Sequence, residues 1–254
     1  MELTPNAFKR ALAARKKLVG LWSQTGSATV VELLADARPD WVLIDTEHAP
    51  VDIGGVVDQL RVLDGAGISA LVRPVWNDPV VFKRLLDAGA QTLLVPYVQT
   101  AAEAAAAVAA TRYPPHGVRG VAAVLRGNRY GRIADYHAKI AAEICVLVQI
   151  ETQTAADNLE SIAAVDGVDG VFIGPSDLAA ALGHLGNNRH PDVRQAIEQL
   201  CHRAQKANTP IGILATVEAD ARAFFEMGFT YIAVASDLGL LRSSTDDVVS
   251  RFRN

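Results

Sequence analysis

Short runs of almost continuous apolar residues alternate along the chain with longer stretches in which apolar residues recur at helical spacing. The runs lie at 18–22 (LVGLW), 41–45 (WVLID), 69–73 (SALVR), 92–96 (TLLVP), 145–150 (CVLVQI), 169–173 (DGVFI), 210–214 (PIGIL) and 231–235 (YIAVA). Such runs predict eight parallel strands covered on both faces, with the intervening stretches as the covering helices. AAEAAAAVAA at 101–110 is a strong helix former, a helix is expected to begin near Pro79, another to span about 191–207, and a last one about 236–253.

A chain of 254 residues suits eight strand–helix units closed into a barrel, which take about 250 residues. No linker or shift in composition divides it, so the fold class is α/β, a single (β/α)8 TIM barrel spanning 1–254. The intervals from 92 to 145 and from 169 to 210 are about twice the others and hold insertions. The first, RYPPHGVRGVAAVLRGNRYGR at 112–132, is rich in Pro, Gly and Arg and is expected to form an active-site loop. The second, GPSDLAAALGHLGNNRHPD, reads as a short helix and a loop.

Composition narrows the partner. Half of the residues are apolar, a fifth are charged and the net charge is −4, which excludes disorder and argues against nucleic-acid or anionic-membrane surfaces. A small molecule is the expected partner. The two cysteines, Cys145 and Cys201, offer neither a disulfide framework nor zinc spacing and suit a reducing compartment. With no apolar run near 18 residues and no signal-peptide core, the expected location is the cytoplasm.

In α/β barrels chemistry collects at the C-terminal strand ends. There stand Asp45, Glu47 and His48 after the second strand, Arg73 at the end of the third, Gln149 and Glu151 at the fifth, and Gly174, Pro175, Ser176 and Asp177 after the sixth. Glu151 and Asp177 follow consecutive strands; two carboxylates without cysteine or a histidine pair favour a hard divalent cation, Mg²⁺ first, with Mn²⁺ or Co²⁺ as relatives. Each alone would equally serve as an ordinary helix-start residue. Gly174-Pro175-Ser176-Asp177 turns a strand into a helix and is an expected seat for a carboxylate. Arg73, a permanent cation at the end of an apolar strand, either stabilises a developing oxyanion or pairs with Asp45 or Glu47. His48 either acts as acid/base or is an exposed loop histidine. All six lysines lie away from the strand ends, so a Schiff base is excluded and carbonyl activation must be electrostatic.

The segments WVLIDTEHAP, LVRPVWNDP, RLLDAGAQTLLVP, TRYPPHGVRGV, VLVQIET and GVDGVFIGPSDLAAALGHLG together resemble the HpcH/HpaI family of metal-dependent class II pyruvate aldolases nearly end to end. The resemblance implies His48 as base, Arg73 as transition-state stabiliser with Asp45 beside it, Glu151 and Asp177 as metal ligands, and Gln149, Gly174, Pro175, Ser176, Leu214 and Trp22 against the keto acid. It makes Asp87 the carboxylate that raises the basicity of the histidine. Asp87 lies about eight residues into its helix, roughly 12 Å toward the far face of its own barrel, so it would act across a subunit interface in a homo-oligomer, similar to the family's hexamers, with the C-terminal helix at that interface. The implied reaction is cleavage of a 4-hydroxy-2-oxo acid to pyruvate and an aldehyde. The C-terminal motifs are most similar to members acting on 2-dehydro-3-deoxyglucarate or its 5-dehydro-4-deoxy isomer, with 4-hydroxy-2-oxoheptanedioate and 2-keto-3-deoxy-rhamnonate as alternatives. Thr46 and the loop arginines Arg119, Arg126 and Arg129 bear on the choice of aldehyde. A different class of protein, one that binds or senses keto acids without turnover, would share the same site.

Overall fold

The computed structural model describes residues 1–253. Eight parallel strands close into a barrel in chain order: β1 (Leu18–Ser23), β2 (Trp41–Asp45), β3 (Ser69–Arg73), β4 (Thr92–Val95), β5 (Cys145–Ile150), β6 (Gly170–Ile173), β7 (Ile211–Leu214) and β8 (Tyr231–Ser236). Every strand falls within one residue of the apolar run that predicts it. The barrel is sealed by the pairing of β1 with β8, which shifts register between Gly20 and Leu21.

Side chains alternate between two cores. One set of strand residues, including Val42, Ile44, Val72, Val148, Ile173 and Ile232, packs outward against the helices. The other fills the lumen: Leu18, Trp22, Trp41, Leu43, Leu71, Leu147, Phe172 and Tyr231. Two-sided burial is why the strands read as continuous apolar runs rather than alternating ones. The floor of the lumen is closed by α1 (Ala7–Ala13), whose Phe8 meets Trp41 and Tyr231 edge-on at 6.1 and 5.7 Å. Asn6 caps that helix and ties it to the barrel by donating to Thr92 Oγ1 at 3.0 Å and to the Glu143 carbonyl at 2.9 Å.

The outer helices begin at the mouth and run toward the floor. Those that position the site are α2 (Ala28–Asp36), α3 (Ile53–Ala66), α4 (Pro79–Asp87) and α5 (Ala101–Thr111). Asp52, Asp78 and Thr100 cap α3, α4 and α5; the Thr100–Glu103 capping box fixes the start of α5. Because 112–132 follows α5, it starts at the floor and leads to β5 from that side. Arg126 there donates to the Ala88 carbonyl at 2.8 Å and pairs with Asp64 at the C-terminal end of α3. Arg119 pairs with Asp87, the last residue of α4. The segment therefore lies at the opposite end of its own barrel from the strand C-termini, which corrects its expected placement at the mouth. With it, Arg126 and Arg129 border a cavity of about 260 Å³ among the N-terminal strand ends Ser69 and Gln91–Thr92.

After the short α6 (Tyr136–Glu143), α7 (Gln153–Asp157) and α8 (Leu159–Ala163), the mouth receives α9 (Pro175–Ala181). A loop at 182–190 then leads to α10 (Pro191–Lys206), followed by α11 (Glu218–Met227) and α12 (Asp237–Arg251). Of the residues of α12, only Asp237 is buried. No helix among the described residues is long and apolar enough to cross a membrane.

Candidate active site

Asp45 and Arg73 end neighbouring strands and are paired in register. This places the guanidinium of Arg73 against the Asp45 carboxylate in a bidentate contact, Nε to Oδ1 at 2.9 Å and Nη2 to Oδ2 at 2.6 Å. Trp22 Nε1 donates to Asp45 Oδ2 at 3.1 Å, and its ring lies beneath the guanidinium at 4.9 Å. Asp45 also accepts from the amides of Glu47 and His48, so one carboxylate shapes the β2 loop and locks Arg73. Burial pushes the Asp45 carboxyl up, but the Arg73 hydrogen bonds and charge, with Trp22 and the Glu47 amide, outweigh it and hold the group below the usual carboxylate range.

The third arginine nitrogen, Nη1, faces Glu47 Oε2 at 2.7 Å and Gln149 Oε1 at 3.5 Å. Gln149 in turn donates to Glu151 Oε2 at 2.5 Å, and the Tyr97 amide donates to Glu151 Oε1 at 2.7 Å. Tyr97 reaches that position with a left-handed φ of 57°, local strain of the kind that collects at functional sites. Gly174 completes the cradle. A Cβ at that position would stand 2.4 Å from Glu151 Oε2 and 2.8 Å from Glu151 Cβ, so only glycine admits the carboxylate.

Glu151 is 3% exposed. Burial raises its carboxyl to about 7; the charges of Asp177 and Glu47 push the same way, while the Tyr97 and Gln149 hydrogen bonds oppose them. Glu47 is likewise raised, first by burial and then by Asp45 and Asp177, against the lowering effect of Arg73. The charges of Glu47, Glu151 and Asp177 thus act on one another at a mouth where Arg73 already serves Asp45. That oxygen-rich, under-neutralised set fits a hard divalent cation on Glu151 and Asp177. Asp177 and Ser176 are exposed in the first turn of α9, and no side chain caps its amides. Leu214 ends β7 partly buried against the lumen core.

A carboxyl whose pKa is higher in the folded chain than in the unfolded one favours folding while protonated. For Glu151 that contribution is complete below about 4.5 and is lost as pH rises through about 7, a change on the order of 3 kcal/mol. Chelator-treated protein is therefore expected to lose stability between pH 5 and pH 8, and Glu151→Gln to flatten that slope. Urea denaturation of both proteins at the two pH values checks this; parallel slopes would contradict it.

His48 stands apart from this rigid set. Its side chain is 63% exposed and its Nε2 lies 3.7 Å from Glu47 Oε2. Asp87 sits with Arg119 at the C-terminal end of α4, away from the mouth, and makes no contact with His48 of the same chain. Trp22 is 3% exposed and braces Asp45 and Arg73 from below. Glu47, read from the sequence as a possible partner of Arg73, does face its Nη1; the one contributor additional to the residues singled out from the sequence is the Tyr97 amide, which no side-chain pattern announces.

Three comparisons place this geometry among known proteins. The family model described as HpcH/HpaI aldolase/citrate lyase matches residues 18–244. The chain is 51% identical over 249 residues to the 5-keto-4-deoxy-D-glucarate aldolase of Klebsiella pneumoniae subsp. pneumoniae, covering 98% of this chain and 97% of that protein. It is 50% identical over 252 residues to the same-named protein of Escherichia coli O6:H1, covering 99% and 98%. The crystal structure of an HpcH/HpaI aldolase/citrate lyase family protein from Burkholderia cenocepacia J2315 superimposes with a TM-score of 0.94 at 41% identity, covering 98% of this chain and 100% of that one. With the match spanning every strand and every residue of the mouth, the chain belongs to the HpcH/HpaI aldolase/citrate lyase family.

Proposed function

We propose that the protein cleaves a 4-hydroxy-2-oxo acid reversibly into pyruvate and an aldehyde, with 5-keto-4-deoxy-D-glucarate as substrate and tartronate semialdehyde as the second product. The observation that carries this reading is the fixed Arg73 guanidinium, held bidentate by Asp45 and facing the Gln149–Glu151 pair across the barrel mouth. Full-length identity of about half to the two glucarate-acid aldolases supports the substrate over the heptanedioate and rhamnonate alternatives.

Glu151 and Asp177 would hold the divalent cation, Mg²⁺ by donor chemistry, which when bound supplies positive charge to the keto-acid end of the substrate. The α9 amides around Ser176 receive the carboxylate. His48 takes the proton from the 4-hydroxyl, the C3–C4 bond breaks, and its electron pair moves into the C2–C3 bond as the carbonyl pair moves onto the 2-oxo oxygen. Arg73 Nη1 donates to that oxygen using the proton otherwise held loosely toward Gln149, and a proton returned to C3 completes pyruvate. Leu214 offers an apolar wall beside the reacting carbons.

The catalytic unit we propose is a homo-oligomer, hexameric as the family resemblance implies, in the cytoplasm. Supporting it, α12 exposes Leu238, Leu240, Leu241, Val248 and Val249, with Phe252 just beyond, an apolar face that a lone subunit would leave in water. Asp87, held on one oxygen by Arg119, then serves His48 of a neighbouring subunit. Mixing inactive His48→Ala and Asp87→Asn chains under subunit exchange is expected to restore a fraction of wild-type turnover, because some sites receive both native residues. No recovery in verified mixed oligomers would remove Asp87 from the site.

The reading is tested by a coupled assay of pyruvate release from a panel of 4-hydroxy-2-oxo acids with Mg²⁺, Mn²⁺ and Co²⁺. Release that is greatest with the glucarate-derived acid and abolished by chelator is expected. A keto-acid sensor would bind these compounds and release nothing.

A further inference from the structure

The loop between α9 and α10 carries a second group of ligand-type side chains, outside the site described above. Gly183, with φ 82°, turns the chain at the end of α9, and backbone bonds from the amides of His184, Asn187 and His190 to the carbonyls of Ala179, His184 and Asn187 fold the loop on itself. This brings His184 over His190, rings stacked at 3.5 Å and 14° from parallel. Both face the carboxylate of Asp192, with His184 Nε2 at 3.1 Å and His190 Nδ1 at 3.6 Å from Oδ2. One donor atom from each of the three residues lies within 4.8 Å of the other two.

These separations bracket the edge of a tetrahedron around an ion bound at 2.0–2.1 Å, which is about 3.4 Å. His190 Nδ1 accepts the Asp192 amide at 3.2 Å as the cap of α10, so that nitrogen is already free of a proton, the state a metal requires. The cations nearby are committed elsewhere: Arg189 and Arg194 both pair with Asp220, and Arg194 also approaches Glu198. Among the described residues, no lysine or arginine neutralises Asp192.

We infer that His184, His190 and Asp192 form a second cation site, selective for a borderline transition metal such as Zn²⁺, Co²⁺ or Ni²⁺. Two imidazoles and one carboxylate suit such ions, whereas the all-oxygen set of Glu151 and Asp177 suits Mg²⁺. Binding opens the stack, since lone pairs lying in nearly parallel ring planes must converge on one ion, and it exchanges the His190 cap for a metal bond. The consequence falls on the loop. Asn188 and Arg189, between the two histidines, line a cavity of about 120 Å³ with Ser176 and Leu214, so the ion would clamp one wall of the substrate mouth.

Equilibrium dialysis of the full-length Glu151→Gln/Asp177→Asn protein against Zn²⁺ isolates this site from the other. About one bound Zn²⁺ per chain is expected, with affinity weakened more than about tenfold by adding His184→Ala or His190→Asn; asparagine preserves the helix cap while deleting the imidazole. Co²⁺ in the same protein is expected to show the intense visible absorption of a low-coordinate ion and to lose it in both variants. Zn²⁺ binding that survives both substitutions, or no binding before them, overturns the inference. Neither result bears on pyruvate release, which reads the aldolase proposal separately.

Discussion

Replacing Arg73 with alanine is expected to lower kcat by about 10²–10³, the usual loss when one preorganised oxyanion donor is removed, and to destabilise the fold by about 3–5 kcal/mol. The two effects have separate origins. The kinetic loss follows from Nη1, the nitrogen aimed across the mouth at Gln149. The stability loss follows from Asp45, fully buried, which would be left with only Trp22 and two amides around its charge. Arg73→Lys separates them: an ammonium can neutralise Asp45 but cannot hold it through two nitrogens while presenting a third. The lysine variant should recover most of the thermal stability and little of the turnover. Steady-state kinetics with thermal denaturation of both variants decides the matter, and near-native kcat in either would remove Arg73 from the chemistry.

The second large effect is expected from one methyl group. In Gly174→Ala the new Cβ meets Glu151 at 2.4 Å through Oε2 and at 2.8 Å through Cβ, distances that demand movement. Glu151 cannot yield easily, because Tyr97 and Gln149 hold its two oxygens. Its displacement should weaken divalent-ion affinity by about 10- to 100-fold, with turnover falling in parallel at limiting metal and partly recovering at saturating metal. Gly65→Ala is the matching control: it lies inside α3 with nothing within 4 Å of the new atom and should stabilise by about 0.5–1 kcal/mol. Metal titrations of activity for the two proteins test the contrast; equal metal dependence would show that the cradle is not selective.

How much of this could be read from the chain depends on what kind of interaction each feature uses. The strands were legible because burial on both faces leaves an uninterrupted apolar trace. Asp45, Arg73, Gln149 and Glu151 were legible because barrel topology brings strand ends together whatever their separation in sequence. Arg73's two readings, ion pair or oxyanion donor, turn out to be compatible: three nitrogens allow Asp45 to fix the group while Nη1 remains aimed at the site. Less legible was the side of the barrel on which an insertion emerges. Segment 112–132 has the composition of a binding loop, yet following a helix and preceding a strand commits it to the floor of its own subunit. Trp22 shows a different limit, since the same strand-end position serves a residue that touches ligand or one that props its neighbours. The contact with Asp45 and the ring beneath Arg73 show the second of these roles. The Tyr97 amide belongs to the backbone, and backbone donors leave almost no mark in a side-chain pattern.

The closed floor has an electrostatic corollary. Below Arg73 and Asp45 lie Trp22, Phe172, Tyr231, Trp41 and Phe8, a continuous series of buried rings in mutual contact. The charges at the mouth therefore sit on a low-permittivity base and are screened from one side only, so their field is directed outward along the barrel axis. An arriving dianion meets that field before it touches any residue, and mobile ions can weaken it only from the direction of approach. The barrel thereby works as an asymmetric dielectric, in which the residues farthest from the substrate help to set the strength of those nearest to it.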